Sequence, residues 1–204
     1  MFKHTKYYFL PLLCMNIIFG NNKLEIINAD YLENFSKNNQ TIQKLYGNVV
    51  LKTDDITLFT ENANFYKDLN EFHLNDGVTM IKDNDTLKCL KMIHIDNDNT
   101  HIKAIGNIIF TQNKSEQKIF CDSLYYWPDS DSSIAYSNVK LIKKDTKLHS
   151  DKLTIWETNG YRKSSFIANG NCKIFENTKI IIANEISYND SIQLMSLNDS
   201  CSFK

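Results

Sequence analysis

Two short patterns of apolar and polar positions alternate along the chain between about Leu24 and Phe203. The first runs apolar or small residue, spacer, a small or turn-forming pair, Val or Ile, spacer, apolar residue. Its copies open with Leu45-Tyr46-Gly47-Asn48-Val49-Val50-Leu51, Leu74-Asn75-Asp76-Gly77-Val78-Thr79-Met80 and Ala104-Ile105-Gly106-Asn107-Ile108-Ile109-Phe110. They continue with Ala135-Tyr136-Ser137-Asn138-Val139-Lys140-Leu141, then Ala168-Asn169-Gly170-Asn171-Cys172-Lys173-Ile174 and Leu197-Asn198-Asp199-Ser200-Cys201-Ser202-Phe203, with Cys in place of Val or Ile in the last two. From Val49 to Cys201 the steps are 29, 30, 31, 33 and 29 residues. A fixed period of this length marks a repeat architecture.

The second pattern is anchored on Ala29, Thr60, Cys89, Cys121, Ser150 and Ala183. Two positions before each anchor stands an aliphatic residue, and three positions after it another apolar one, such as Leu58 and Ala63 or Leu87 and Met92. Strand faces alternate with period two, so the change from even to odd spacing predicts a bulge or bend at the anchor. Polar turn formers separate the patterns: Asp83-Asn84-Asp85 and Asp145-Thr146 in one series, Lys67-Asp68-Leu69-Asn70 and Thr158-Asn159-Gly160 in the other. Consecutive hairpins follow, with antiparallel neighbours. The predicted fold is all-β: an elongated antiparallel β-jellyroll of about twelve bent strands in six repeats.

Composition sharpens this picture. The 204 residues hold 25 Asn, 24 Ile, only two Pro and only six Gly. Asn and Asp disfavour long helices, and Ile favours strands. Four of the glycines fall in the first pattern, where Gly marks a strand bend. One Arg stands against 22 Lys, and the net charge is −1. That balance speaks against a nucleic-acid partner, which needs a basic face.

Residues 1–20 carry Lys3 and Lys6 ahead of a mostly apolar run from Tyr7 to Phe19, broken by Pro11 and Asn16. The run is short of the about 20 residues of a membrane span. It fits a secretory signal peptide, with an uncleaved anchor as the other option. Residues 21–204 then form the β domain of an exported protein. Equivalent repeat positions such as Cys89 and Cys121, or Cys172 and Cys201, are two strands apart, about 10 Å, beyond the roughly 7 Å a disulfide allows. Buried free thiols are expected.

Alternation turns one set of apolar side chains inward. Leu45, Val49, Leu51, Leu74, Val78, Met80, Ile108, Phe110, Leu141 and Ile174 make one predicted wall, and Leu58, Leu87, Met92, Leu124 and Leu153 the other. Singly, each residue suits a packed core; as a set they would line a groove for fatty chains. His73, His94, His101 and His149 lack metal-ligand spacing, and the carboxylates are scattered, so neither a metal, a cofactor nor an enzyme activity is expected. The first strand, near Leu24 to Glu33, and the last, near Ser191 to Phe203, should present unpaired edges suited to pairing with another chain.

The repeat resembles the OstA-like family, which contains the lipopolysaccharide transport proteins LptA and LptC and the N-terminal domain of LptD. The residues that carry the resemblance include Ala29-Asp30-Tyr31-Leu32-Glu33, Leu45-Tyr46-Gly47-Asn48-Val49, Leu74-Asn75-Asp76-Gly77-Val78, Ala104-Ile105-Gly106-Asn107-Ile108, Cys121-Asp122-Ser123-Leu124-Tyr125-Tyr126 and Ser150-Asp151-Lys152-Leu153. In layout the chain is similar to LptA. The resemblance implies a periplasmic jellyroll that carries or bridges lipopolysaccharide toward the outer membrane by shielding its acyl chains. It also implies edge-strand pairing with other jellyroll domains or head-to-tail with its own copies. The competing expectation is an exported structural β-repeat scaffold that binds no lipid.

Overall fold

Twelve non-glycine residues with described backbones have positive φ, and nine of them are Asn or Asp. These are the L-residues that tolerate the left-handed region best, because a short polar side chain can hydrogen-bond locally there. Turn chemistry, more than strand propensity, therefore sets where each strand bends and ends. The protein is described by a computed structural model covering residues 24–37, 40–53, 55–95, 101–113, 116–127, 130, 132–158, 163–189, 192, 194–199 and 201–203. Residues 1–20, the expected signal peptide, lie outside the described residues.

The chain divides into two units, residues 1–100 and 101–204. Both are all-β, and among the described residues neither contains an α-helix. The first unit holds β1 (Glu25–Asn28), β2 (Tyr31–Lys37), β3 (Gln40–Lys52), β4 (Ile56–Tyr66), β5 (Glu71–Asn75), β6 (Val78–Lys82), β7 (Asp85–Cys89) and β8 (Lys91–Ile95). The second holds β9 (His101–Gln112), β10 (Gln117–Trp127), β11 (Ser132–Lys143), β12 (Thr146–Thr158), β13 (Lys163–Glu176), β14 (Lys179–Asn189), β15 (Leu194–Asn198) and β16 (Ser202–Phe203). Within each unit the paired strands are antiparallel. In β1–β2, β5–β6, β7–β8 and β15–β16 one bent pass is interrupted at its corner. The sixteen described strands are thus twelve bent passes of the chain, as the repeat predicts.

The corner is the same device each time. Tyr46 pairs with Asn62 and Val49 with Thr60, so Gly47 and Asn48 stand opposite the single residue Glu61. In the second unit Gly106-Asn107 oppose Asp122, Ser137-Asn138 oppose Asp151, and Gly170-Asn171 oppose Asn184. Both residues of every such pair have positive φ, from 49° to 81°. Two residues against one is a β-bulge, which kinks its strand and strengthens the local twist. A carboxylate from the neighbouring strand caps the corner. Asn48 donates to Asp30 Oδ2 at 2.9 Å, Asn138 to Asp122 Oδ2 at 2.7 Å and Asn171 to Asp151 Oδ2 at 2.8 Å. A Cβ on Gly47 would fall on the Asp30 carboxylate, and one on Gly170 on that of Asp151. Glycine is required at these two positions by both space and φ.

The bend lets one face of each strand stay inward on both sides of the corner. Residues on that face are almost fully buried: Leu45, Leu74, Met92, Ala104, Leu153 and Ile186 are all 0% exposed. A single flat sheet leaves one face to solvent, so within each unit the two halves must cover one another. Ile27 departs from the expected pattern and is 48% exposed, because a register shift between Ile26 and Asn28 turns Ile26 inward instead.

Candidate functional site

Hairpin pairing arranges the inward residues in rows across the strands. In the first unit the row beside the corner runs Leu45, Ala63, Leu74, Met92. On the other side of the corner Val49 pairs with Thr60 and Val78 with Cys89, and beyond them Leu51, Leu58, Met80 and Leu87 form a row of large aliphatics. In the second unit the corner row runs Ala104, Leu124, Ala135, Leu153, Ala168, Ile186. Across the corner Ile108 pairs with Cys121, Val139 with Ser150 and Cys172 with Ala183. Phe110, Ile119, Leu141, Leu148, Ile174 and Ile181 complete that half. Large and small residues alternate along the second unit's corner row and from Leu45 to Leu74 in the first, which lets the facing halves interdigitate.

All fifteen residues predicted to face inward do so. Fourteen are buried and Phe110 is half-buried. The two predicted walls are not separate, however. Leu45 and Leu51 stand beside Ala63 and Leu58 in shared rows, because successive strands of the meander are sheet neighbours. What divides one wall from the other is the corner, not the strand of origin.

A further row at the far end of the first unit was not among the predicted residues. Gln43, Phe65, Phe72 and His94 pair in series, with Phe65 and Phe72 stacked at 4.4 Å between ring centroids. Gln43 is 1% exposed, and its Oε1 has no hydrogen-bond partner among the described residues. The same period-two alternation that selects Leu45 and Leu74 continues to Gln43 and Phe72, so the signal was present. A buried Gln does not read as core, so alternation alone does not mark this row as interior. The second unit repeats this row with Ile102, Tyr126, Ser133, Ile155, Phe166 and Tyr188.

The cysteines of the described residues are free thiols. Cys89, Cys121 and Cys172 are buried as expected, but Cys201 is exposed. It sits in the break between β15 and β16, on the last bent pass of the described residues. Burial, aided by the Asp122 charge, pushes the Cys121 thiol up to about 12. Burial likewise raises Cys172 to about 11, with smaller upward contributions from Asp151 and Glu185. Thiols held this far from ionisation act as small apolar residues rather than nucleophiles. Among the described residues no cluster of His, Cys, Asp and Glu could hold a metal ion.

Residues 21–94 match the family model described as OstA-like protein. The match covers β1 to β7 and nearly all of β8, the whole described part of the first unit save its last residue. Over these residues the chain is similar to that family. No curated protein matches the chain.

Proposed function

We propose, with the OstA-like first unit as the premise, that the protein is a periplasmic carrier or bridge for lipopolysaccharide on its way to the outer membrane. The observation that carries this is the inward surface. In both units every position flanking the corner is apolar or small, on both sides, over consecutive strands. Burying acyl methylenes there would contribute about 0.8 kcal/mol each, with no charged contact needed. Gln43 Oε1 supports the same reading, since a lipid hydroxyl or amide N–H at that depth would donate to it. No catalysis is proposed: the buried thiols of Cys121 and Cys172 are held un-ionised.

The edges suit a bridge. In the first unit Tyr31 and Leu32 of β2 are 62% and 36% exposed, and among the described residues β2 pairs only with β3. In the second, Leu194 and Met195 of β15 are 53% and 43% exposed, and among the described residues β15 pairs only with β14. Apolar edges of this kind pair with other strands, either from another jellyroll domain or from the next copy of this chain.

One observation favours the structural scaffold instead: the rows are closed, and an acyl chain would have to part the two halves of a unit to enter. The readings separate on a single preparation. Protein purified from its own cells and extracted with organic solvent should yield an acylated glycolipid by mass spectrometry, and should bind a fluorescent lipid A analogue that the glycolipid displaces. No lipid in the extract and no probe binding would leave the scaffold.

A further inference from the structure

The outward face of the second unit collects lysines that lie far apart in sequence. Beyond the corner, two rows of outward positions cross β9 to β14. One runs Ile109, Phe120, Lys140, His149, Lys173, Ile182. The next runs Thr111, Lys118, Ile142, Lys147, Phe175, Ile180. Their neighbours along each strand, such as Ile108, Ile119, Leu148 and Ile174, are buried, so these twelve positions share the solvent side. None of the twelve is a carboxylate, four are Lys and one is His. Among the described residues, six carboxylates of this unit stand at the borders of these rows: Asp122, Asp151 and Glu185 near the corners, Glu116, Asp145 and Glu176 at the hairpin ends.

The apolar members are as regular as the charged ones. Lys140 Nζ lies 5.8 Å from the Phe120 ring centroid, and His149 meets Phe175 edge-on at 5.3 Å. Ile109 is 39% exposed. The local field is positive as well: His149 is held below its ordinary value first by desolvation, then by Lys140, Lys173 and Lys147.

We propose that this face docks the protein on a bilayer surface carrying anionic phospholipids. The lysines supply the long-range attraction, and the Ile and Phe positions between them enter the interfacial region. Six strands at about 4.8 Å spacing make the face about 24 Å wide, enough to cover several headgroups at once. A nucleic acid or other linear polyanion fits less well, since seven of the twelve positions are Ile, Phe or Thr and none is Arg. The proposal does not depend on what the interior holds.

The test is co-sedimentation of the full chain with phosphatidylcholine vesicles, with and without phosphatidylglycerol. Binding is expected only with phosphatidylglycerol, and it should weaken as salt is raised. Replacing Lys118, Lys140, Lys147 and Lys173 together by Gln should lower the affinity by at least about tenfold. The same four changed to Arg should retain it, which controls for folding. Equal binding to neutral vesicles, or an unchanged Gln variant, overturns the proposal. Binding of heparin without vesicle binding overturns it too and assigns the face to a polyanion. Probe binding to the interior should be the same in the Gln and wild-type chains. A parallel loss of both would mean that the vesicles are held through the interior, against this proposal.

Discussion

The two units solve one packing problem with opposite assignments. Beside the corner in the first unit, the Gly-bearing passes supply the large residues, Leu45 and Leu74, and the pass between them supplies Ala63. In the second unit the Gly- and Ser-bearing passes supply Ala104, Ala135 and Ala168, and the passes between them Leu124, Leu153 and Ile186. The corner backbone is the same in both: two consecutive residues at positive φ opposite one. The backbone device is therefore independent of which strand carries the bulk. What both rows keep is a mixture of large and small residues that close packing can interlock, although Leu74 and Met92 stand side by side in the first. The outward faces differ less. The equivalent rows of the first unit run Val50, Phe59, Thr79, Lys88 and Lys52, Thr57, Ile81, Thr86, shorter and with two lysines in place of four.

If the two interiors are equally closed, their thiols should be equally slow. Cys89 and Cys121 occupy equivalent positions, and both should react with iodoacetamide far more slowly than Cys201. For Cys121, moving from 9.0 to about 12 alone lowers the thiolate fraction near neutral pH about a thousandfold. Mass-resolved labelling of the native chain would show it. Cys121 reacting as fast as Cys201 would mean that the second interior is open.

Truncating the bulk is the next largest effect. Leu45→Ala and Leu153→Ala each remove a fully buried leucine from a corner row, one from a Gly-bearing pass and one from the pass between, and each should cost about 2–5 kcal/mol in urea unfolding. A loss confined to one of them would show that the rows depend on which pass carries the bulk. Enlarging the small partner should cost less: Ala135→Leu, about 1–3 kcal/mol from overpacking.

The corners make a finer comparison. Gly170→Ala meets both an unfavourable φ of +75° and the Asp151 side chain, whereas Gly77→Ala meets only a φ of +86° with nothing within 4 Å. The first should cost about 2–3 kcal/mol and the second about 1 kcal/mol. Equal costs would show that space at the corner is not limiting.

The smallest effect is a pH dependence. The folded state holds His149 below its unfolded value, so between the two values the unfolded chain binds more protons. Stability should then fall as pH drops below about 6.5, levelling off once the folded group is itself protonated. His149→Gln should flatten that slope in thermal melts followed across pH 5 to 7, with the wild-type slope as reference.

Much of the fold was legible because it is local. Period-two alternation names the inward residues, and a positive φ admits few residues besides Gly and Asn, so the corners at Gly47-Asn48 and Gly170-Asn171 show directly in the chain. The candidate interior was legible for the same reason, down to fourteen buried residues of fifteen. Gln43 and the exposed Ile27 were not, since burial of a polar group and a one-residue register shift depend on neighbours brought in by pairing.

The sequence by itself determined the repeat, its turns and which side chains turn inward, because each depends on residues a few positions apart. Only the tertiary structure decided which inward residues share a row, and that the two walls are the two sides of a corner. It also decided that Lys118, Lys140, Lys147 and Lys173 stand together. A single Arg and a net charge of −1 gave no sign of a basic face. Charge summed along a chain carries no information about register, and register is what puts four scattered lysines on one side of a sheet while their carboxylates stay at its borders.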